Sequence, residues 1–479
     1  MVVIGGGTGG LVAAVGAAGV GARVALIEED RTGGDCLWTG CVPSKALIAA
    51  ARRAHDMRTA DRVGLTPVEP QVDLARVMSR VHAAQHAIAP HDSPERLERE
   101  GVEVIAARGR LAGASRVELS TGRTLTTRTA VLATGSRPVL PPVDGLADAD
   151  PLTSDTLWDL TELPSRMVVL GGGPIGCELG QSFARLGSRV TIVEMLDRLL
   201  TKEEPEAGAT VHASLVADGV DVRVGTRAER VETGPDGGHV LVVSRHGVED
   251  RVPFDRILVA AGRRPSTDDL GLDTAGVRTT ERGHVVVDDT LRTTAPWVWA
   301  AGDVTGGLPF THVAGKHGGL VVTNALFKLR RKVSYDTVPW VTFTDPEVGR
   351  VGLTEAEARE RYGDAVTVTS SSYAGLDRAI ANATTDGFAK LVAGPRDRIV
   401  GATIVGEHGG DAIAEIVAWM SKDEKLGAVG QTTHAYPTFA EASAKAANEV
   451  LRERFFSPRV RAVTRPVLAL LRLLDRPGR

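Results

Sequence analysis

The sequence predicts an α/β fold with two Rossmann-like dinucleotide-binding domains followed by a smaller C-terminal α+β domain. Three observations predict it. A short apolar strand runs twice into a glycine-rich turn, at Val2-Val3-Ile4 before Gly5 to Gly10 and at Met167-Val168-Val169-Leu170 before Gly171 to Gly176. In each copy a helical stretch and a second apolar strand follow, and that strand ends on an acid, Glu28 or Glu194, at the same distance from the first glycine. From Tyr335 onward the texture changes to short strands without a glycine turn of that kind. A chain of 479 residues is also too long for one ordinary domain.

The spacing carries chemistry. Gly5, Gly7 and Gly10 form a G-x-G-x-x-G turn between strand and helix, and Gly171, Gly173 and Gly176 repeat it. Glycines there let the backbone approach a pyrophosphate, the helix N-terminus faces its charge, and Glu28 or Glu194 can hold ribose hydroxyls. Glu194 repels a 2′-phosphate, so NADH is favoured over NADPH, although Arg189 and Arg198 lie near it in sequence. A second echo links Ala130 to Pro138, with Ala133-Thr134-Gly135 ending a buried strand, to Ile257 to Pro265, which turns at Gly262. A further strand, Val298 to Ala301, ends at Gly302-Asp303, where an acid can reach a ligand in the sheet crevice.

The stretch Gly33-Gly34-Asp35-Cys36-Leu37-Trp38-Thr39-Gly40-Cys41-Val42-Pro43-Ser44-Lys45 holds two of the three cysteines. Metal binding wants about four ligands, and no others stand nearby, so no metal is expected. A redox-active pair is the sharper reading and two inert thiols the bland one. Helix is expected from Ser44 onward. Five residues of regular helix rise about 7.5 Å, whereas bridged cysteines need Cα atoms roughly 4.4–6.8 Å apart. A Cys36–Cys41 bridge therefore requires a broken turn, which Gly40 permits and Pro43 encourages. Cys177 reads as a small core residue, and His312 and His317 as structural. Two nucleotide sites and a dithiol describe an electron relay with one bound and one exchangeable nucleotide.

Composition sets bounds. Hydrophobic content of 43% and charged content of 24% are those of an ordinary globular protein, and a net charge of −4 argues against a general nucleic-acid binder. Three cysteines do not make a secreted disulfide scaffold. No stretch reaches the ~18 apolar residues of a transmembrane segment, and no signal peptide is visible, so the cytoplasm is the expected compartment. Strands near 338–347, 366–373, 387–393 and 398–406 with helices near 410–421 and 438–454 suggest an interface domain. Residues 452–479 carry eight arginines against Glu453 and Asp475. A helix docked on the protein or a frayed tail is expected there, with attachment to an anionic membrane surface as the alternative.

With both fingerprints, the cysteine stretch, the Ala-Thr-Gly strand and the Ala-Gly-Asp303 strand, residues 1–450 resemble the flavin-dependent pyridine nucleotide–disulfide oxidoreductases. That group contains dihydrolipoamide dehydrogenase, glutathione reductase and mercuric reductase. The resemblance implies FAD on the first fingerprint and Asp303, a nicotinamide nucleotide on the second, and a C-terminal dimerisation domain that makes a homodimer with a shared active site. It divides the chain into an FAD-binding domain in two parts (1–145 and 269–334), an NAD(P)-binding domain (146–268), a dimerisation domain (335–452) and a tail (453–479). It implies that Cys41 lies beside the flavin, that Cys36 exchanges with substrate, and that Lys45 faces the flavin and pairs with Glu178. Hydride would pass from NADH to FAD, then electrons to the Cys36–Cys41 disulfide and on to a small-molecule or protein acceptor.

The sequence departs from the family where members acting on dithiols carry a histidine before Pro-Thr. Tyr436 stands there, with Glu441 at the family's offset and His434 as a candidate substitute. Tyrosine titrates near 10 and histidine near 6.5, so Tyr436 is a poor base at neutral pH. Pro174 stands where several relatives carry an aromatic gate. The mercuric reductases' C-terminal thiol pair is absent. Three functions stay open: a disulfide reductase, a reductase of quinones or metal ions, and a nucleotide- or redox-sensing flavoprotein.

Overall fold

The computed structural model of the chain describes residues 1–234 and 237–474; the last five residues of the basic tail, 475–479, lie outside the described residues. The chain forms two compact units, Met1–Thr201 with His212–Tyr335, and Lys202–Val211 with Asp336–Arg479.

In the first unit, five parallel strands run in the spatial order Val298–Ala300, Ala130–Leu132, Val2–Ile4, Val24–Glu28, Val102–Ala106. Strands this apolar belong in a sheet covered on both faces. Val3 packs with Leu11, Ala14, Leu26 and Val131 on one face, and Val2 and Ile4 with Leu111, Val117 and Leu132 on the other. Helix Thr8–Gly19 carries Ala13, Ala14 and Ala17, all fully buried, and these small side chains let helix Thr311–Phe327 pack beside it.

A four-stranded parallel sheet repeats the pattern, in the order Asp221–Arg223, Arg189–Val193, Arg166–Leu170, Arg256–Val259. A three-stranded antiparallel sheet spanning 227–254 covers it with Leu241, Val243 and Phe254. The two echoed segments pair with each other: Ser136–Pro138 lies antiparallel to Arg263–Pro265.

The second unit is built on a five-stranded antiparallel sheet, Pro339–Thr342, Glu347–Gly352, Ile399–Gly406, Phe388–Ala393, Thr367–Ser372 in spatial order. Helices Gly409–Ser421 and Glu441–Phe455 close its core over Val351, Leu391 and Ile404. Segment 202–211 belongs here for an electrostatic reason. The buried Lys390 ammonium sits 3.1 Å from both Glu204 and Glu206 and 2.8 Å from Glu355, and a buried cation without such partners would be strongly destabilising.

Three local expectations are corrected. The cysteine helix begins at Cys41 rather than Ser44, because Pro43 falls in the first turn, where its missing N–H costs nothing. The second fingerprint helix, which the sequence predicts over 177–186, begins at Pro174 for the same reason. The tail forms a helix, Pro458–Leu474, but nearly all of its described side chains face solvent rather than docking on the chain.

Candidate active site

The two fingerprints are superposable in their contacts as well as their spacing. Gly5 and Gly171 both have positive φ and press against a carbonyl, that of Ala133 or Ala260, too closely for a Cβ. A Cβ on Gly10 would overlap the carbonyl oxygen of Gly5, and one on Gly176 that of Gly171. Each helix starts at a glycine, Gly7 or Gly173, with no side chain capping its first turn. Those N-terminal amides are left for an anion, and the cradle fits the pyrophosphate of FAD in the first copy and of a nicotinamide nucleotide in the second. The Glu28 carboxylate accepts the Gly6 N–H at 2.5 Å and the Asp30 N–H at 2.9 Å; Glu194 accepts those of Gly172 at 2.6 Å and Leu196 at 2.7 Å. One bond per oxygen leaves lone pairs for ribose hydroxyls. Arg198 turns to the carbonyls of Leu200 and Thr201.

The first fingerprint also carries the cysteine segment. Gly34, at positive φ, lies against Gly7, where a Cβ would come within 2.6 Å of the Gly7 Cα. Cys36 sits in the short helix Gly34–Trp38, and Gly40 breaks the chain before Cys41 opens the next helix. A Cβ at Gly40 would stand 2.9 Å from the Asp35 carbonyl oxygen, so the turn closes only around glycine. Gln85 donates to the Trp38 carbonyl at 2.7 Å and Trp158 to that of Thr39 at 3.0 Å, which fixes the turn.

Cys36 and Cys41 are free thiols whose side chains hydrogen-bond to each other. The hydrogen bond from Cys36, with that from Thr311 and the charge of Lys45, lowers the Cys41 thiol to about 6. The same bond, with burial, pushes Cys36 upward. The pair is therefore one thiolate and one thiol, with Cys41 the ionised member. Thr311 Oγ1 lies 3.4 Å from Cys41 Sγ and starts helix Thr311–Phe327, whose positive end adds to the effect. Lys45 Nζ is 2.9 Å from a Glu178 carboxylate that is almost fully buried. Cys177 is buried, and desolvation raises its thiol, as suits a core residue.

Asp303 accepts a hydrogen bond from Ser136 Oγ at 2.7 Å, and Thr134 donates to the Ser266 carbonyl at 2.7 Å. The Gly302 N–H donates to His317 Nδ1 at 3.2 Å; His317 is fully buried, and desolvation lowers it to about 4, so it is a neutral structural residue. His312 stacks on Phe310. Past Gly262, Arg263 donates to Asp35 at 2.6 Å and to Ser136 Oγ at 2.9 Å, tying the cysteine segment to the echoed pair.

In the second unit, Tyr436 is exposed and donates to Asp377 at 3.0 Å, and that bond raises its phenol above the ordinary value. Glu441, the first residue of helix Glu441–Phe455, instead accepts the Thr438 N–H at 3.1 Å. His434 has Nδ1 on the Thr432 carbonyl at 2.9 Å and Nε2 on Glu415 at 2.9 Å. Both ring nitrogens are committed, so His434 does not replace the missing base. Thr311, Arg263, Asp377 and Glu415 went unread in the sequence. Only Arg263 carried a signal, its place in the echo. Among the described residues no cluster of three or more metal-ligating side chains occurs.

Known proteins share the sequence and fold of this chain over most of its length. The pyridine nucleotide-disulphide oxidoreductase family model matches residues 1–318, and the dimerisation domain of the same family matches residues 338–447. A mercuric reductase from Streptomyces lividans is 37% identical over 92% of this chain and 94% of that protein. A dihydrolipoyl dehydrogenase from Chlamydia muridarum is 34% identical over 93% and 95%. Among solved structures, LpdA from Mycobacterium tuberculosis superposes with a TM-score of 0.85 at 28% identity, over 94% of this chain and 99% of that one. The copper(II) complex of the HOCl-induced flavoprotein disulfide reductase RclA from Escherichia coli gives 0.83 at 28% identity, over 94% and 99%. The chain belongs to the pyridine nucleotide-disulphide oxidoreductases. It is a flavin-dependent enzyme that uses FAD and NAD(P)H, an NAD(P)H:disulfide oxidoreductase with a family dimerisation domain.

Proposed function

We propose that the chain is an NADH-dependent reductase whose Cys36–Cys41 pair hands electrons to an acceptor, working as a cytoplasmic homodimer with a shared active site. The observation that carries this reading is the thiol–thiolate pair seated on the first fingerprint beside Lys45 and Glu178. Gly5, Gly7, Gly10, Glu28, Lys45, Ala133, Thr134, Gly135, Gly302 and Asp303 would hold FAD; Gly171, Gly173, Gly176, Glu194 and Gly262 would hold the nicotinamide nucleotide. Bound FAD supplies two-electron chemistry between the nicotinamide and the cysteine pair. Glu194 favours NADH, and the engagement of Arg198 with main-chain carbonyls supports that choice.

In its reduced state the pair can act by thiol–disulfide exchange. Cys36 gives its proton to Cys41 and attacks one sulfur of a disulfide acceptor. The other sulfur leaves as a thiolate and takes that proton back from Cys41. The Cys41 thiolate then attacks Cys36, the internal disulfide forms, and the second acceptor thiolate departs and draws a proton from water. Lys45, held by Glu178, keeps positive charge near Cys41 throughout.

The Tyr436–Asp377 contact favours a second reading of the acceptor. A phenol held above its ordinary range is a poorer base and proton shuttle at neutral pH than a histidine, which suits quinones or metal ions better than disulfides. Mercuric reductases among the relatives point the same way. The test uses both acceptors on Cys36→Ser. Disulfide turnover is expected to vanish while quinone reduction stays largely intact; equal loss of both would show one exit rather than two.

A further inference from the structure

Helix Pro458–Leu474 lies beyond the family's dimerisation match, which ends at residue 447. At 100° per residue, Val460, Val463, Val467, Leu470, Leu471 and Leu474 fall on one face. Arg461, Arg465 and Arg472 fall together on the opposite face with Leu468 beside them, Arg459 borders the apolar face, and the helix contains no acid. From Val463 onward the apolar face is bare, its side chains exposed from 47% at Leu471 to 71% at Leu474; Val460 at its start is half-buried. An aliphatic face this exposed would not be left so unless something covers it.

We infer that this helix lies on an anionic lipid surface, its aliphatic face in the acyl boundary and its arginines among the headgroups. Charge selects this occupant. Arginine stems can lie along apolar surface while the guanidiniums reach phosphates, and each near an anionic bilayer favours binding about fivefold. A seam with a second copy would cover the aliphatic face but leave the arginines on its far side with no counter-charge, since the helix holds no acid. A nucleic acid would engage the arginines but leave the aliphatic face in water. No helix among the described residues is long and apolar enough to cross a membrane, so the attachment is peripheral and reversible.

The experiment is co-sedimentation of the full-length, FAD-loaded protein with vesicles. Phosphatidylcholine alone is compared with phosphatidylcholine mixed with phosphatidylglycerol, at low and high salt. The protein is expected to pellet with the anionic vesicles, several-fold less at high salt, and to stay in solution with the neutral ones. V467E/L471E, which puts charge at the centre of the apolar face, is expected to reduce the bound fraction about tenfold or more, as R461E/R465E does on the opposite face. Flavin content and reduction of the flavin by NADH report that both variants are folded. Failure to pellet with anionic vesicles, or equal pelleting with neutral ones, overturns the inference. A smaller assembly mass in V467E/L471E without loss of lipid binding assigns the face to a second copy and overturns it too.

Discussion

At the scale of the residue, the chemistry depends on an asymmetry between two sulfurs. Cys41 is ionised because Cys36, Thr311 and Lys45 all favour the thiolate, and Cys36 stays protonated because it is the donor. The sign is that of an acid with a lowered pKa: the thiolate is present above about pH 6 and is lost as pH falls through that value. In the two-electron-reduced enzyme the long-wavelength thiolate-to-flavin absorbance is therefore expected to bleach with a midpoint near pH 6. Removing the Thr311 hydroxyl by Thr311→Val moves that midpoint upward. An unmoved midpoint would show that Thr311 does not hold the thiolate. The cysteines and Lys45 were legible because their types and spacing are chemically unusual. Thr311 was not, since a threonine far along the chain announces nothing until a helix start is placed on Cys41 Sγ.

At the scale of the element, the strand–glycine–helix fingerprint was the most legible part of the chain. Its glycines have steric reasons that the pattern alone already suggests. The same geometry in both copies allows their roles to be separated. Gly176→Ala forces a Cβ into the Gly171 carbonyl, a strain of about 1–3 kcal/mol, and should weaken NADH binding at least about fivefold while the flavin stays bound. Loss of FAD from that variant, measured by visible absorbance, would contradict the assignment of the second fingerprint. Helix starts were less legible. Pro43 reads as encouraging a broken turn, yet a proline in the first turn costs no hydrogen bond, so both helices begin earlier than expected, at Cys41 and Pro174. The offsets of His434 and Glu441 from Tyr436 were visible in the sequence, but the engagement of His434 with Glu415, on helix Gly409–Ser421, was not, because no spacing encodes where that helix packs.

At the scale of the whole molecule, an internal duplication is put to two uses. The two nucleotide sheets share the order of four strands, the first adding Val298–Ala300 at one edge, and the echoed segments pair with each other, with Arg263 bonding across to Asp35 beside Cys36. The duplication was readable from the sequence; the pairing of its two copies was not, because it joins residues far apart in the chain. The α+β character after Tyr335 was also readable, whereas the solvent-facing tail helix ran against the expected docking. The central claim is that electrons from NADH reach the Cys36–Cys41 pair. Anaerobic titration of the oxidised protein with NADH, counting new thiols as the flavin absorbance changes, tests it most directly. Thiols should appear in step with the thiolate-to-flavin band and be absent in Cys41→Ser; a flavin that NADH reduces while no thiol appears would contradict the account.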